Sequence, residues 1–332
     1  MTSSVEVTRG TLVESRHIVH IAVAHAERGL VMSTGDPTLT AFVRSAIKMF
    51  QALPLVEDSV VERYGLTTEE LALCTASHNA EPFHVDAARR ILAKAGVSEG
   101  ALACGPHAPM LAAAADALHA SGTVPSRIHN NCSGKHAGML AVAQSHGWPI
   151  DGYHLLAHPV QHRVAQTLSH WTGIRAERMA IGVDGCGLPT FALPLDAVAF
   201  ACARFAAAAA DGAPASGVVA AMTGHPEYVA GTDRLCTSLM TTARGRIFAK
   251  VGAEGYYCAG APGARLGIAL KVEDGAKRAS EPALLATLAA CDLLSRADME
   301  ALREYAQPLL SNTRGDVVGE VRARITLQRA SA

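Results

Sequence analysis

Between His17 and His25 apolar and polar residues alternate (His17-Ile-Val-His-Ile-Ala-Val-Ala-His25), Glu27-Arg-Gly29 interrupts them and Leu30-Val-Met32 resumes. Glu14 to Ser33 is therefore expected to be a strand hairpin. After Gly35-Asp-Pro37 the period changes. Apolar side chains from Thr40 to Leu53 recur at helical spacing until Pro54, which predicts a helix with Ser45 and Lys48 on one face. Leu71-Ala-Leu-Cys-Thr-Ala76 is a short buried run opening into the polar Ser77-His-Asn79, and Asp86 to Gly96 predicts another helix. Helical spacing returns at Met110–Ala120, Met139–His146 and from His158 to about Trp171, whereas the short apolar Arg178–Val183 is stopped by the turn Asp184-Gly-Cys-Gly-Leu-Pro189. An alanine-rich helix over Leu195–Ala210 and a helix over Thr232–Ala243 lead into three strand-like runs, Ile247–Val251, Gly255–Ala259 and Leu266–Val272, and then a helix over Ala279–Leu294.

Two hairpin-forming regions far apart in the chain, at about residues 10–35 and 245–275, can share one sheet. The pattern predicts an α+β fold: an antiparallel sheet built from both chain ends, with helices packed on it and a helix-rich insertion between. With no internal repeat or flexible linker, residues 1–332 read as a single domain whose cleft lies between sheet and insertion.

Composition narrows the function classes. Twenty-nine basic and thirty acidic residues give a net charge of −1, so no basic field points to nucleic acid or an anionic membrane. Val198–Ala210, the longest apolar stretch, contains Arg204 and is too short to span a bilayer. Eight cysteines in 332 residues are too sparse for a disulfide scaffold, and no signal-peptide layout opens the chain, so a cytoplasmic protein whose partner is a small molecule or another protein is expected. Cys74, Cys104, Cys202, Cys258 and Cys291 read as small buried side chains, and His17, His20 and His25 as strand positions.

Against this background His129-Asn-Asn-Cys-Ser-Gly-Lys-His136 is unusually dense in reactive groups. If Gly134 opens a helix, Cys132 and Lys135 share a face, and Asn130 and Asn131 precede it where short polar side chains cap free N–H groups. Ser45-Ala-Ile-Lys48 is a Ser-x-x-Lys pair. A lysine titrates near about 10.4, so it serves as a base at neutral pH only if desolvated or set beside another cation, for which Lys250 is the candidate. A Ser-x-x-Lys helix, a second serine loop at Ser77 and a late-strand lysine followed by Gly252 come in the order of serine β-lactamase-like enzymes. The late motif is Lys250-Val-Gly252, and His78-Asn79 follows the second serine, which argues against penicillin chemistry.

Arg44-Ser-Ala-Ile-Lys48, Ser77-His-Asn79, Asn130-Asn-Cys-Ser-Gly-Lys-His136, Asp184-Gly-Cys-Gly-Leu-Pro189 and Gly231-Thr-Asp-Arg-Leu-Cys236, in that order, resemble the thermolabile, metal-binding L-asparaginase II family from about Glu14 to Leu294. The resemblance implies a serine β-lactamase-like fold, hydrolysis of L-asparagine to L-aspartate and ammonia, and a homodimer. It implies Ser45 as nucleophile with Lys48 as its base, and Ser77 with Lys250 as a second Ser-Lys pair. Arg44, Asp184 and His136 become substrate contacts, and Cys132, Lys135 and Cys186 the ligands of a zinc ion. Cys236 would be a structural thiol nearby. Two other readings stay open: a related serine amidase acting on glutamine or peptides, and a non-catalytic zinc-binding module.

Overall fold

The computed structural model describes residues 3–330. Its residues fall into two compact units, one within Met1–Ala46, Leu193–Ala207 and Thr242–Ala332, the other within Ile47–Ala192 and Ala208–Thr241.

The first unit is built on a curled antiparallel sheet whose strands run in the order Leu309–Ser311, Val317–Arg324, Ser4–Arg9, Leu12–His25, Leu266–Val272, Tyr256–Ala261, Phe248–Val251. Leu12–His25 pairs with Ser4–Arg9 along its first half and with Gly29–Thr34 and Leu266–Val272 along its second. The side-chain alternation from His17 gives way to burial of four consecutive residues, Ile21–Ala24, where the strand acquires neighbours on both edges. Glu6 stands opposite Arg16 and Arg322 and bonds both, a cross-strand charge match that fixes the register of the outer strands. The alanine-rich helix Leu195–Ala210 also has a packing reason: a Cβ on Gly267 would collide with the Ala199 and Ala203 backbone, so small residues on both sides bring helix and strand into backbone contact. This is the expected α+β architecture, and the sheet is wider than the sequence suggests because Ser4–Arg9 and Val317–Arg324 join it.

The second unit is helical, apart from a hairpin in which Ala180–Val183 pairs with Pro189–Ala192 across the Asp184–Leu188 turn. Its centre is the helix Ser133–His146, buried from Ser133 to Ala143. Gly134 and Gly138 lie one turn apart on it. A Cβ on Gly134 would run into the Leu73 carbonyl, and one on Gly138 would lie 2.8 Å from Cys74 Sγ and 3.2 Å from Leu55, so the helix Thr68–Cys74 packs against bare backbone. Two buried histidines flank this core. The rings of His78 and His84 stack 5.0 Å apart. His84 Nδ1 accepts the Glu81 N–H at 3.1 Å and its Nε2–H donates to the Glu227 carbonyl at 2.9 Å, leaving no room for a second proton.

Two predicted helices begin later than expected. Thr40–Phe42 is strand and Arg44–Ile47 a single 3₁₀ turn, so the helix runs from Lys48 to Glu57, with Pro54 inside it. Arg44 adopts φ 49°, which breaks any helix continuing from Thr40, and Pro54 is carried within a helix buried from Lys48 to Leu55. Likewise Asp233 at φ 57° delays the helix expected from Thr232 until Leu235. Among the described residues no single helix is long and apolar enough to cross a membrane.

Gly134→Ala is expected to cost about 1–3 kcal/mol of stability, seen as a lower urea midpoint with an unchanged m-value; a neutral result would mean that the two helices do not touch there. Burial pushes His84 down to about 4, outweighing the Glu227 carbonyl and Glu81. His84 therefore takes up a proton on unfolding, and stability held above about pH 6.5, the ordinary histidine value, is lost as the pH falls from there towards 4. His84→Gln should flatten that part of the curve of unfolding free energy against pH.

Candidate active site

Helix Ser133–His146 starts directly after Cys132, which occupies the N-cap position without a side-chain cap bond. The asparagines ahead of it brace the approach. Asn130 Oδ1 accepts the Cys132 N–H at 2.9 Å while its amide donates to the Gly105 carbonyl at 2.6 Å. The Asn131 N–H donates to His107 at 2.8 Å, and its carbonyl takes the His78 N–H at 3.2 Å. One turn into the helix, Lys135 points at the 184–188 turn: Nζ donates to Cys186 Sγ at 3.2 Å and lies 4.0 Å from Asp184. The Cys186 Sγ reaches Asp184 Oδ2 at 3.7 Å, and Cys132 and Cys186 both act on the Lys135 charge, so both thiols and the Lys135 amine that the sequence singled out converge.

Lys48, at the first position of its helix, joins them. It is wholly buried, and Nζ donates to the Ala76 carbonyl, to Ser77 Oγ at 3.1 Å and to Cys132 Sγ at 3.1 Å. Lys48, Ser77, Cys132, Lys135, Asp184 and Cys186 thus form one cluster within the second unit. Its charges are unequal. Burial lowers Lys48 from its ordinary value, and Lys135 adds to that against the pull of Cys132. Burial alone would lower Lys135 too, but Cys132, Cys186 and Asp184 together hold it above the usual lysine range. The neighbouring Cys186, reinforced by Lys48 and Lys135, keeps Cys132 well below the ordinary thiol value, whereas Cys132 and burial raise Cys186. The cluster thus sets a thiol with a lowered value beside one with a raised value, and a lysine held above its usual range beside one drawn below it.

The loop carrying Ser77 is clamped. The Ser77 N–H donates to the Val229 carbonyl, and His78 Nδ1 takes the Ala80 N–H, so that its Nε2–H donates to Ser133 at 3.0 Å. Arg234 donates to Asn79 Oδ1 at 2.8 Å, Asn79 donates to the Thr232 carbonyl at 2.7 Å, and Glu81 accepts from Thr232 N–H at 3.0 Å and its hydroxyl at 2.7 Å. Gly231, at φ 107°, is required there because a Cβ would lie 2.7 Å from the Asn79 amide and collide with Glu81. Of these, Glu81, Thr232 and Arg234 carry no role in the sequence reading. The Gly231-Thr-Asp-Arg234 block was the available signal for two of them, but nothing in the spacing tied it to Ser77.

His136 is buried against Tyr153. Tyr153 accepts the Ala103 N–H at 2.9 Å, so its own proton goes to His136 Nδ1 and His136 carries its proton on Nε2, a buried donor with no partner among the described residues. Tyr153 left no sequence signal. Arg44, Ser45 and Lys250 belong to the first unit. Ser45 sits on the 3₁₀ turn directly ahead of Lys48 in the chain. Lys250 is wholly buried on the strand Phe248–Val251, and a Cβ on the following Gly252 would lie 3.0 Å from the Val43 carbonyl and 3.3 Å from Ala46, so the end of the Lys250 strand abuts the segment bearing Ser45. The other cysteines read as packing residues are buried, except Cys291, which is half-buried.

Among the described residues no three His, Cys, Asp or Glu side chains gather as a metal-ligand set. The donors at hand are the Cys132 and Cys186 thiols and the Lys135 amine, which lies 3.2 Å from Cys186 Sγ. Two sulfurs suit zinc, and an amine joins as a third ligand once it sheds its proton, so the set fits the metal in chemical kind.

Comparison with curated proteins finds no match. The family described as L-asparaginase II matches residues 5–323, nearly the whole length. The chain therefore belongs to the L-asparaginase II family and is an amidohydrolase of the asparaginase type.

Proposed function

We propose that the protein hydrolyses the side-chain amide of L-asparagine to L-aspartate and ammonia through a serine ester, with buried lysines moving the proton. The observation that carries this reading is the contact of the wholly buried Lys48 amine with Ser77 Oγ at 3.1 Å. An amine stripped of water and facing a serine hydroxyl is the arrangement a lysine base requires.

In this reading Ser45, three residues ahead of Lys48 in the chain, adds to the amide carbon and gives its proton to Lys48. That proton goes on to the amide nitrogen, ammonia leaves, and water cleaves the ester, releasing aspartate and restoring the serine. Ser77 and Lys250 form the second Ser-Lys pair, relaying protons. Arg44 complements the substrate carboxylate and Asp184 its ammonium group, while the spare Nε2–H of His136 offers a further donor. Cys132, Lys135 and Cys186 would hold a zinc ion, which when bound supplies a fixed positive charge able to polarise a carbonyl.

Ser45→Ala is expected to abolish ammonia release from L-asparagine, and Ser77→Ala to slow it by about 100- to 10,000-fold. Retention of turnover by Ser45→Ala together with its loss in Ser77→Ala would move the nucleophile to Ser77. L-glutamine and a β-lactam under the same assay separate this enzyme from a broader serine amidase. Elemental analysis is expected to find stoichiometric zinc in the wild-type protein and none in Cys132→Ser; equal zinc in both would overturn the ligand set.

A further inference from the structure

In the second unit the helix Ala112–Ala120 has no buried residue, and it faces the helix Pro82–Lys94 across a hollow of about 290 Å³, at the small end of the range for ligand pockets. The walls are aliphatic: Pro82, Val85, Ala114, Ala117 and Leu118. Three further lining residues are polar, and they differ in charge. Asp86 and Arg89 are exposed and three positions apart, so they share a face of Pro82–Lys94. Arg89 bonds Glu99 through Nε at 3.3 Å, which leaves the terminal nitrogens of its guanidinium for another acceptor. The third, His129, is 7% exposed, and its Nδ1 accepts the Ser126 N–H at 3.0 Å. Its proton therefore sits on Nε2, which has no partner among the described residues, and with Nδ1 turned to the backbone that is the edge of the ring left to face the hollow. None of these side chains belongs to the lysine and thiol cluster.

We propose that this hollow binds a free amino acid with a branched aliphatic side chain, of which L-leucine is the representative. The side chain fills the apolar space and supplies the packing that Ala112–Ala120 lacks. The α-carboxylate accepts from Arg89 and from the His129 Nε2–H, and the α-ammonium faces Asp86. A zwitterion answers both signs of charge at once, whereas a ligand carrying only one of its two groups leaves Asp86 or Arg89 unmatched. The site stands independently of the asparaginase reading.

Isothermal titration calorimetry of the full-length protein tests this with three probes: L-leucine, isocaproate, which lacks the ammonium, and isoamylamine, which lacks the carboxylate. L-Leucine is expected to bind once per chain, equally with and without excess L-aspartate to occupy the catalytic cluster, and more tightly than either analogue. Asp86→Asn should weaken L-leucine by about 10- to 100-fold while leaving isocaproate no weaker, and Arg89→Gln should weaken L-leucine while leaving isoamylamine no weaker. A general loss of structure would weaken all three probes together. Ala117→Phe, which fills the hollow from an exposed helix position, should abolish L-leucine binding. No heat from L-leucine with the wild-type protein, displacement of L-leucine by L-aspartate, undiminished binding to Ala117→Phe, or isocaproate binding as tightly as L-leucine would each overturn the proposal.

Discussion

A lysine with no exposed surface is the constraint on which the second unit turns. An ammonium buried without compensation is costly enough that it either neutralises or gathers acceptors. Lys48 does the latter, with the Ala76 carbonyl, Ser77 hydroxyl and Cys132 sulfur around a single nitrogen. Those acceptors come from two helix ends and a loop, so the amine ties the end of the helix Thr68–Cys74 to the start of Ser133–His146. Structural and chemical demands coincide at this nitrogen: whatever holds Lys48 in place also tunes how readily it releases a proton.

The surrounding framework is rigid for separable reasons. Gly134 and Gly138 set the distance between the two helices, and Asn130 ties the Cys132 backbone to Gly105. The Asn79, Glu81, Thr232 and Arg234 lattice fixes the Ser77 loop from the far side through charge-assisted bonds. Neutral His78 and His84 fill the space beneath it with their tautomers fixed by backbone partners. A reactive group is thereby held by residues that need no chemistry of their own.

Much of this was legible in the chain. Alternation gave the hairpin expected over Glu14–Ser33, observed as Leu12–His25 with Gly29–Thr34, and the late strands, and the three-residue spacing of Cys132 and Lys135 anticipated a shared helix face because a helix does begin there. Where reading failed, a single backbone angle decided: Phe42, Val43, Ala46, Ile47, Met49 and Phe50 suit a helix, but Arg44 turns left-handed and divides the segment. The strand Val317–Arg324 escaped notice because its charged residues answer Glu6, more than three hundred positions away, and only the folded register reveals the match. Glu81 and Tyr153 were invisible for the same reason, since their partners are distant in the chain.

The pairing of Ser4–Arg9 with Val317–Arg324 has a bearing on biosynthesis. A ribosome makes Ser4–Arg9 about three hundred residues before its outer neighbour, so the nascent sheet keeps an unsatisfied edge while the intervening residues are made. The inner segments Ile47–Ala192 and Ala208–Thr241 are complete well before that. Translation order thus favours early maturation of the unit that carries the lysine and thiol cluster, with Ser4–Arg9 left to pair with Leu12–His25 alone until Val317–Arg324 emerges.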